Sequence, residues 1–339
     1  DRGARTAHAR LVDHLETVSR EGDPDCAVGA DMLALSMGAF EATEVDLDDL
    51  AERADEERDR LNTLLAQACA QLDPHRSTGE VVAGLLADYP PIEGVIEEAR
   101  AATAEVLAFT AEHRLTPWTD GECLVGPAPE SRRWALAMMS WAGPEEADAP
   151  SWYHVTPPDP DWSQAEIAEC CRCSAAPRCR RSPCTRWLPD TMRTPVPASG
   201  VLSGAPPVDR WHVHRGWAHY AEEMVMEEGF RADDPRYAAG MCLEALIRVT
   251  RLVCSIGLHT GVLSVDDATE RFQKDAFLGG SAARSEARRG TFDIGYGRYT
   301  LGKFAIMDLR EEAREQWGSS SRCPACTPPF WSWALPRSA

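Results

Sequence analysis

The sequence predicts a mainly α-helical protein, and three observations carry that expectation. Apolar residues recur at helical spacing in both halves, charged residues fill the positions between them, and helix start and stop signals bracket several runs. Leu47, Leu50, Ala54, Leu61, Leu64, Leu65 and Ala68 define a first amphipathic helix in an N-terminal helical region. After Pro90 and Pro91, a second stripe runs through Ile92, Val95, Ile96, Ala99, Thr103, Val106, Leu107 and Thr110. The prolines and the carboxylates of Glu93, Glu97 and Glu98 suit the electropositive first turn of that helix. The Pro/Gly-rich residues 115–129 read as an irregular connection. A further helix is expected from Glu130 to Trp141, stopped by Gly143 and Pro144.

Residues 149–162 are proline-rich and extended, and helical pattern resumes at GWAHYAEEMVMEEGF (216–230). A second C-terminal helix covers Tyr237–Leu258. Ser264 and Asp267 form a capping box for a third. A fourth follows Gly302 through Phe304, Ile306, Met307, Leu309 and Ala313 to Trp317. The organisation is thus an N-terminal helical region (1–148), a proline-rich segment with an irregular insert (149–215), a C-terminal helical half (216–318) and an irregular tail (319–339).

The insert breaks every pattern around it. Residues 170–194 carry five of the chain's twelve cysteines and six arginines. Their codons, read one base along, can spell His-Glu-Val-Ala-Pro-Gly-His-Tyr-Ala-His from Cys184 to Thr194, and the tail at the same offset spells a leucine-rich amphipathic run. Both blocks therefore read as out-of-frame text. A zinc site built from Cys170, Cys171, Cys173, Cys179 and Cys184 with His212 and His214 is the competing reading, but these spacings match no standard knuckle. Cys323 and Cys326 make one CxxC with no suitably spaced second pair.

Composition excludes some functions. A hydrophobic content of 44% suffices for a core of one large or two smaller domains, and a formal charge of −19 opposes nucleic acid and anionic membranes as partners. No run approaches eighteen apolar residues, so no membrane span is expected. The opening DRGARTAHAR lacks both Met and an apolar leader, which suggests a truncated start. Cys26, Cys69, Cys123, Cys242 and Cys254 lie scattered, as in a reducing compartment, so a cytoplasmic location is expected.

The segments CLVGPAPESRRWALAMMSWAGPEE (123–146), WYHVTPPDP (152–160), GWAHYAEEMVMEEGF (216–230), RLVCSIGLHTGVLSVDDA (251–268) and RRGTFDIGYGRYTLGKFAIMDLREEAREQWG (288–318) resemble the bacterial domain of unknown function family 885, from about residue 120 to 318. That family is regarded as zinc metallopeptidases with a gluzincin-like helical fold. The resemblance implies zinc held by two histidines and a later glutamate, a Glu base after the first His, and a peptide substrate. None of the three ligands stands in this chain, and Arg215 occupies the place of the later glutamate. No metal or cofactor is therefore expected here, and the chain reads as a degenerate, inactive member of marginal stability, whose GWAHY helix has lost a partner segment.

The resemblance carries over supporting positions only: Glu222 and Glu223, His259, and Tyr296, Arg298 and Tyr299, where a tyrosine or arginine would steady a tetrahedral oxyanion. Each has a plainer reading. Glu222 and Glu223, with Glu227 and Glu228, suit a solvated helix face. His259 suits a helix C-terminus, where a cation is favoured. Arg298 and Tyr299 suit ordinary packing, and the acidic stretch 44–59 a solvated helix face. Two further classes stay open: a non-catalytic helical scaffold whose Cys/Arg-rich insert binds a partner or zinc, and a residual hydrolase using Glu222, Glu223 and His259. The oligomeric state stays open too.

Overall fold

Capping chemistry sets where the helices begin. In the computed structural model, which describes residues 2–22, 25–39, 43–88, 94–115, 122–133, 137–140, 149–156 and 211–317, α1 is Arg2–Glu21, α2 Ala30–Gly38 and α3 Leu47–Leu72. The Asp46 carboxylate accepts from the amides of Asp48 and Asp49 and so opens α3. A reciprocal box between Ser77 and Glu80 opens α4 (Thr78–Ala87), and α5 follows at Val95–Glu112. After the sheet come α6 (Trp211–Glu227), α7 (Pro235–His259), α8 (Val265–Ala276), α9 (Gly280–Gly290), a 3-10 turn at Ile294–Gly297 and α10 (Arg298–Trp317). Asp234 caps α7 with proline in its first turn, and the expected Ser264–Asp267 box opens α8.

The expectation for residues 115–141 needs correction. Cys123–Pro127 is a strand (β1), Glu130–Arg132 a single 3-10 turn and Ala137–Ser140 a second strand (β2). The third, β3 (Ser151–Val155), lies in the middle, parallel to β1 and antiparallel to β2. The residues of β2, AMMS, favour helix by propensity, but pairing with Trp152–Val155 and burial against Val95 and Ala99 of α5 win. The out-of-frame reading of the insert, the tail with Cys323 and Cys326, and the insert's cysteines all lie outside the described residues.

Helix α7 is the axis of the fold, buried around nearly its whole circumference. On one side Leu243, Leu246 and Val249 meet Leu61 and Leu65 of α3 and Leu33 of α2. On another, Cys254 and Leu258 meet Ala268, Phe272, Ala283, Ala287 and Tyr296. The GWAHY helix does not stand alone, contrary to expectation. Trp217, Ala221, Met224 and Val225 of α6 pack with Ile306 of α10 and with Val106 of α5. Among the described residues no helix is long and apolar enough to cross a membrane.

Two glycines let α6 and α10 meet. A Cβ placed on Gly216 would sit 2.2 Å from the carbonyl carbon of Gly302 and 2.4 Å from its Cα, a clash with backbone that no rotamer relieves. The glycine at 216 is therefore a spacing device, and the alignment of side chains further along both helices depends on it. Gly216→Ala should destabilise the fold by about 1–3 kcal/mol, as overpacking does. Gly79→Ala in α4, where a Cβ meets nothing within 4 Å, should be neutral or slightly stabilising. Urea unfolding of the two variants checks the contrast, and equal midpoints would refute the close-crossing account.

Candidate functional site

The spacing of α6 puts His219, Glu222 and Glu223 on one face, three and four residues apart. The face looks inward: His219 is 1% exposed, Glu222 0%, and the Glu223 side chain 14%. The reading of the two glutamates as a solvated surface is thereby corrected. Burying carboxylates requires partners, and three helices supply them.

Lys303 of α10, itself 1% exposed, donates from Nζ to Glu57 Oε1 at 2.8 Å and to Glu223 Oε2 at 2.7 Å. Arg60 of α3 closes the ring. Its Nε and Nη2 donate to Glu57 at 2.7 and 2.9 Å, and its Nη1 and Nη2 to Glu223 at 2.5 and 2.9 Å. The result is a two-plus-two square of charge joining α3, α6 and α10. Glu222 pairs separately with Arg248 of α7 at 2.8 Å, and the same guanidinium reaches Glu244 at 3.3 Å.

The two neighbouring glutamates ionise differently. Burial pushes the Glu223 carboxyl upward, but Lys303 and Arg60 outweigh it and bring it down to about 2. Glu57 is lowered in the same way, with burial opposed by Arg60 and Lys303. Burial dominates at Glu222 and raises it to about 8, because Arg248 is shared with Glu244, whose own charge adds to the rise. Burial and the nearby cations Lys303 and Arg248 push His219 well below the ordinary histidine value, opposed by the Tyr299 main chain, so the ring is neutral. Neither of its nitrogens meets a partner at hydrogen-bonding geometry among the described residues.

The remaining sequence-predicted residues fall into two places. Tyr299 stands beside the charge cluster, its ring 5.9 Å from the Arg248 guanidinium that holds Glu222. His259 does not join them. It closes α7 some eleven residues beyond Arg248, roughly 16 Å along the helix axis. There its Nδ1 lies 2.9 Å from the Cys26 carbonyl, and its own carbonyl accepts from the Gly29 amide, so it ties the segment before α2 to the core. Arg298 donates to the Ser36 carbonyl of α2 at 3.3 Å, also away from the cluster. Tyr296 is committed elsewhere: its hydroxyl donates to the Glu286 carbonyl at 2.5 Å and lies 2.9 Å from the Glu286 carboxylate, which Arg251 grips at 2.6 and 2.8 Å.

Sequence reasoning missed His219, Glu57, Arg60, Arg248 and Lys303. A signal existed for some of them. Glu57 sits on the apolar stripe Leu50, Ala54, Leu61, and Arg248 and Lys303 interrupt otherwise apolar or small-residue runs. A charge on a buried face implies a partner on another buried face.

The zinc set that the family resemblance implies does not fit these residues. Among the described residues no group of three or more His, Cys, Asp or Glu could hold a metal ion. On the face of α6 that carries His219, Glu222 and Glu223, the cations Lys303, Arg60 and Arg248 already engage the carboxylates, so a divalent cation would meet three positive charges.

Comparison with known proteins agrees with the helical architecture. Residues 212–323 match the family model described as "Bacterial protein of unknown function (DUF885)". A solved structure described as a putative lipoprotein of unknown function from Shewanella oneidensis superposes with a TM-score of 0.74 at 18% identity, covering 93% of this chain and 59% of that one. A putative lipoprotein from Colwellia psychrerythraea superposes at 0.72 and 17% identity, covering 94% of this chain and 55% of that one. The chain thus spans less than three fifths of either structure's length, and at these identities the likeness is one of fold. No curated protein matches the sequence.

The opposite shifts of adjacent glutamates give a pH signature. Glu222, raised from the ordinary value of 4.5 to about 8, contributes stability that is fully present below 4.5 and lost as pH rises towards 8. Glu223, lowered from 4.5 to about 2, contributes stability present above 4.5 and lost as pH falls towards 2. Glu222→Gln should therefore gain on the native protein by about 1–3 kcal/mol as pH rises through the upper window. Glu223→Gln should lose least against the native protein at acid pH. Urea unfolding across pH checks this, and parallel pH profiles would contradict it.

Proposed function

We propose that this chain is a catalytically silent relative of a helical, zinc-dependent peptide or amide hydrolase. One observation carries the reading: Glu223, the carboxylate at the centre of the charge cluster, is gripped by Lys303 and Arg60 and holds α3, α6 and α10 together. The Glu223 carboxylate, held down to about 2 by Lys303 and Arg60, is a poor general base, because moving it or protonating it breaks a buried ion pair. The out-of-frame reading of the insert supports the same conclusion, since it removes the His-Glu…His sequence and the following glutamate together.

In this reading the intact relative supplies zinc and a peptide substrate, and this chain retains the wall around that site without its ligands. The cytoplasmic assignment rests on the scatter of Cys26, Cys69, Cys123, Cys242 and Cys254 along the chain, mostly within helical pattern. The lipoprotein description of the two structural neighbours is the opposing observation, and cell fractionation of the native host separates the alternatives.

Metal analysis and peptide hydrolysis on the purified full chain test the functional proposal. The expected outcome is substoichiometric zinc and no chelator-sensitive cleavage of casein or a peptide library. Chelator-sensitive cleavage abolished by Glu222→Gln would overturn it. Zinc that survives dialysis and disappears on replacing Cys170, Cys171 and Cys173 would instead favour a structural site in the insert.

A further inference from the structure

Three cations and four carboxylates meet between α3, α6, α7 and α10 among the described residues. The square uses two of each, Lys303 and Arg60 against Glu57 and Glu223. That leaves Arg248 facing both Glu222 and Glu244, one guanidinium for two carboxylates. Its Nη1 lies 2.8 Å from Glu222 Oε2, and its Nη2 lies 3.4 Å from Glu222 Oε1 and 3.3 Å from Glu244 Oε2. One nitrogen of the fork is divided between two acceptors, so neither carboxylate receives the two short parallel bonds of a full bidentate pair.

A surplus negative charge at this depth is costly, and one proton removes it. Burial decides which carboxylate carries that proton. The Glu222 side chain is 1% exposed and that of Glu244 25%, so water can solvate the charge on Glu244 far better than on Glu222. The other groups that face Glu222 do not supply the missing cation. On its own helix His219 is neutral, and Glu223 is negative and committed to the square. From α10, Lys303 is divided between Glu57 and Glu223, and Tyr299 sets its ring 5.9 Å from the Arg248 guanidinium. Arg60 of α3 is held by Glu57 and Glu223, and Arg251, one turn further along α7, by Glu286. The position of Glu222 near 8, raised by burial against the pull of Arg248 and raised again by Glu244, agrees with this geometry.

We propose that Glu222, Glu244 and Arg248 form a one-proton switch between α6 and α7. With the proton on Glu222, Arg248 bonds a neutral acid on α6 and an ionised one on its own helix, and the charges balance. Loss of the proton places two carboxylates on one guanidinium and weakens the tie between the two helices. The proton belongs to the pair, so a change at the partly exposed Glu244 alters the buried Glu222. The switch needs neither metal nor substrate and is separate from the functional reading of the chain.

Infrared titration of the purified full chain in heavy water tests the switch, because the carbonyl stretch of a protonated carboxyl lies clear of the carboxylate and amide bands. That band should persist at neutral pH, where exposed carboxylates have lost their protons, and disappear on alkaline titration. It should be absent at neutral pH in Glu222→Gln and unchanged in Glu270→Gln, which removes an exposed carboxylate of α8. Glu244→Gln should move the midpoint of its loss down by about one pH unit or more, since Arg248 then serves Glu222 alone. The urea midpoint of that variant should also fall less than the native one between about pH 6 and 9. If Glu222→Gln misfolds, Glu244→Gln still decides. No band at neutral pH, or a band that Glu222→Gln leaves in place, would overturn the proposal. So would a Glu244→Gln titration midpoint equal to the native one, or parallel urea profiles of the two proteins.

Discussion

Lys303 is the residue on which the rest of the C-terminal half depends. A fully buried ammonium is stable only if carboxylates meet it, and burial alone would lower its pKa. Glu57 and Glu223 reverse that and hold it charged, and Arg60 balances the second negative charge. Each member of the square comes from a helix that the chain must first bring into place: α3 for Glu57 and Arg60, α6 for Glu223, α10 for Lys303. An ion pair of this kind adds little net stability against a well-packed apolar substitute, but removing one member leaves an unpaired buried charge. Its effect is to select one register among helices that could otherwise slide along apolar stripes.

The close crossing at Gly216 and the charge square act together. Gly216 brings the α6 backbone against Gly302, and Lys303 is the next residue along α10. Within two turns beyond Gly216 on α6 stand His219, Glu222 and Glu223. A small residue at the crossing thus sets the distance across which the ion pair forms. On the other side, Arg248 of α7 fastens Glu222, and Arg251, one turn later, fastens Glu286 and with it Tyr296. The axis helix therefore carries two guanidinium anchors, Arg248 buried and Arg251 partly buried, each serving a different neighbour.

Much of the helical pattern was legible because long amphipathic helices announce themselves. The stripe from Leu47 to Ala68 and the capping pair Ser264 and Asp267 lie where spacing and local hydrogen bonding put them. The strands were not legible, since three segments of four or five residues offer little periodicity and β2 is held by pairing rather than propensity. At the candidate site, Glu222, Glu223 and Tyr299 were picked out and do meet at one cluster, while His259 and Arg298 face the N-terminal helices. The cations that define the cluster were missed. A buried lysine differs from a surface lysine only in what lies opposite it, and that is a long-range property: Glu57 and Lys303 are 246 residues apart.

The proposed functional reading rests on the same chemistry, because Glu223, committed to Lys303 and Arg60, is a poor base and a poor metal ligand. The most direct test of this commitment is a double-mutant cycle between Lys303→Met and Glu223→Gln, read by urea unfolding at neutral pH. The account predicts a coupling of about 1–3 kcal/mol, with the double variant less damaged than the sum of the two single ones. Additive losses within about 0.5 kcal/mol would mean that the two residues act independently, and the charge square would not be what fixes the helices.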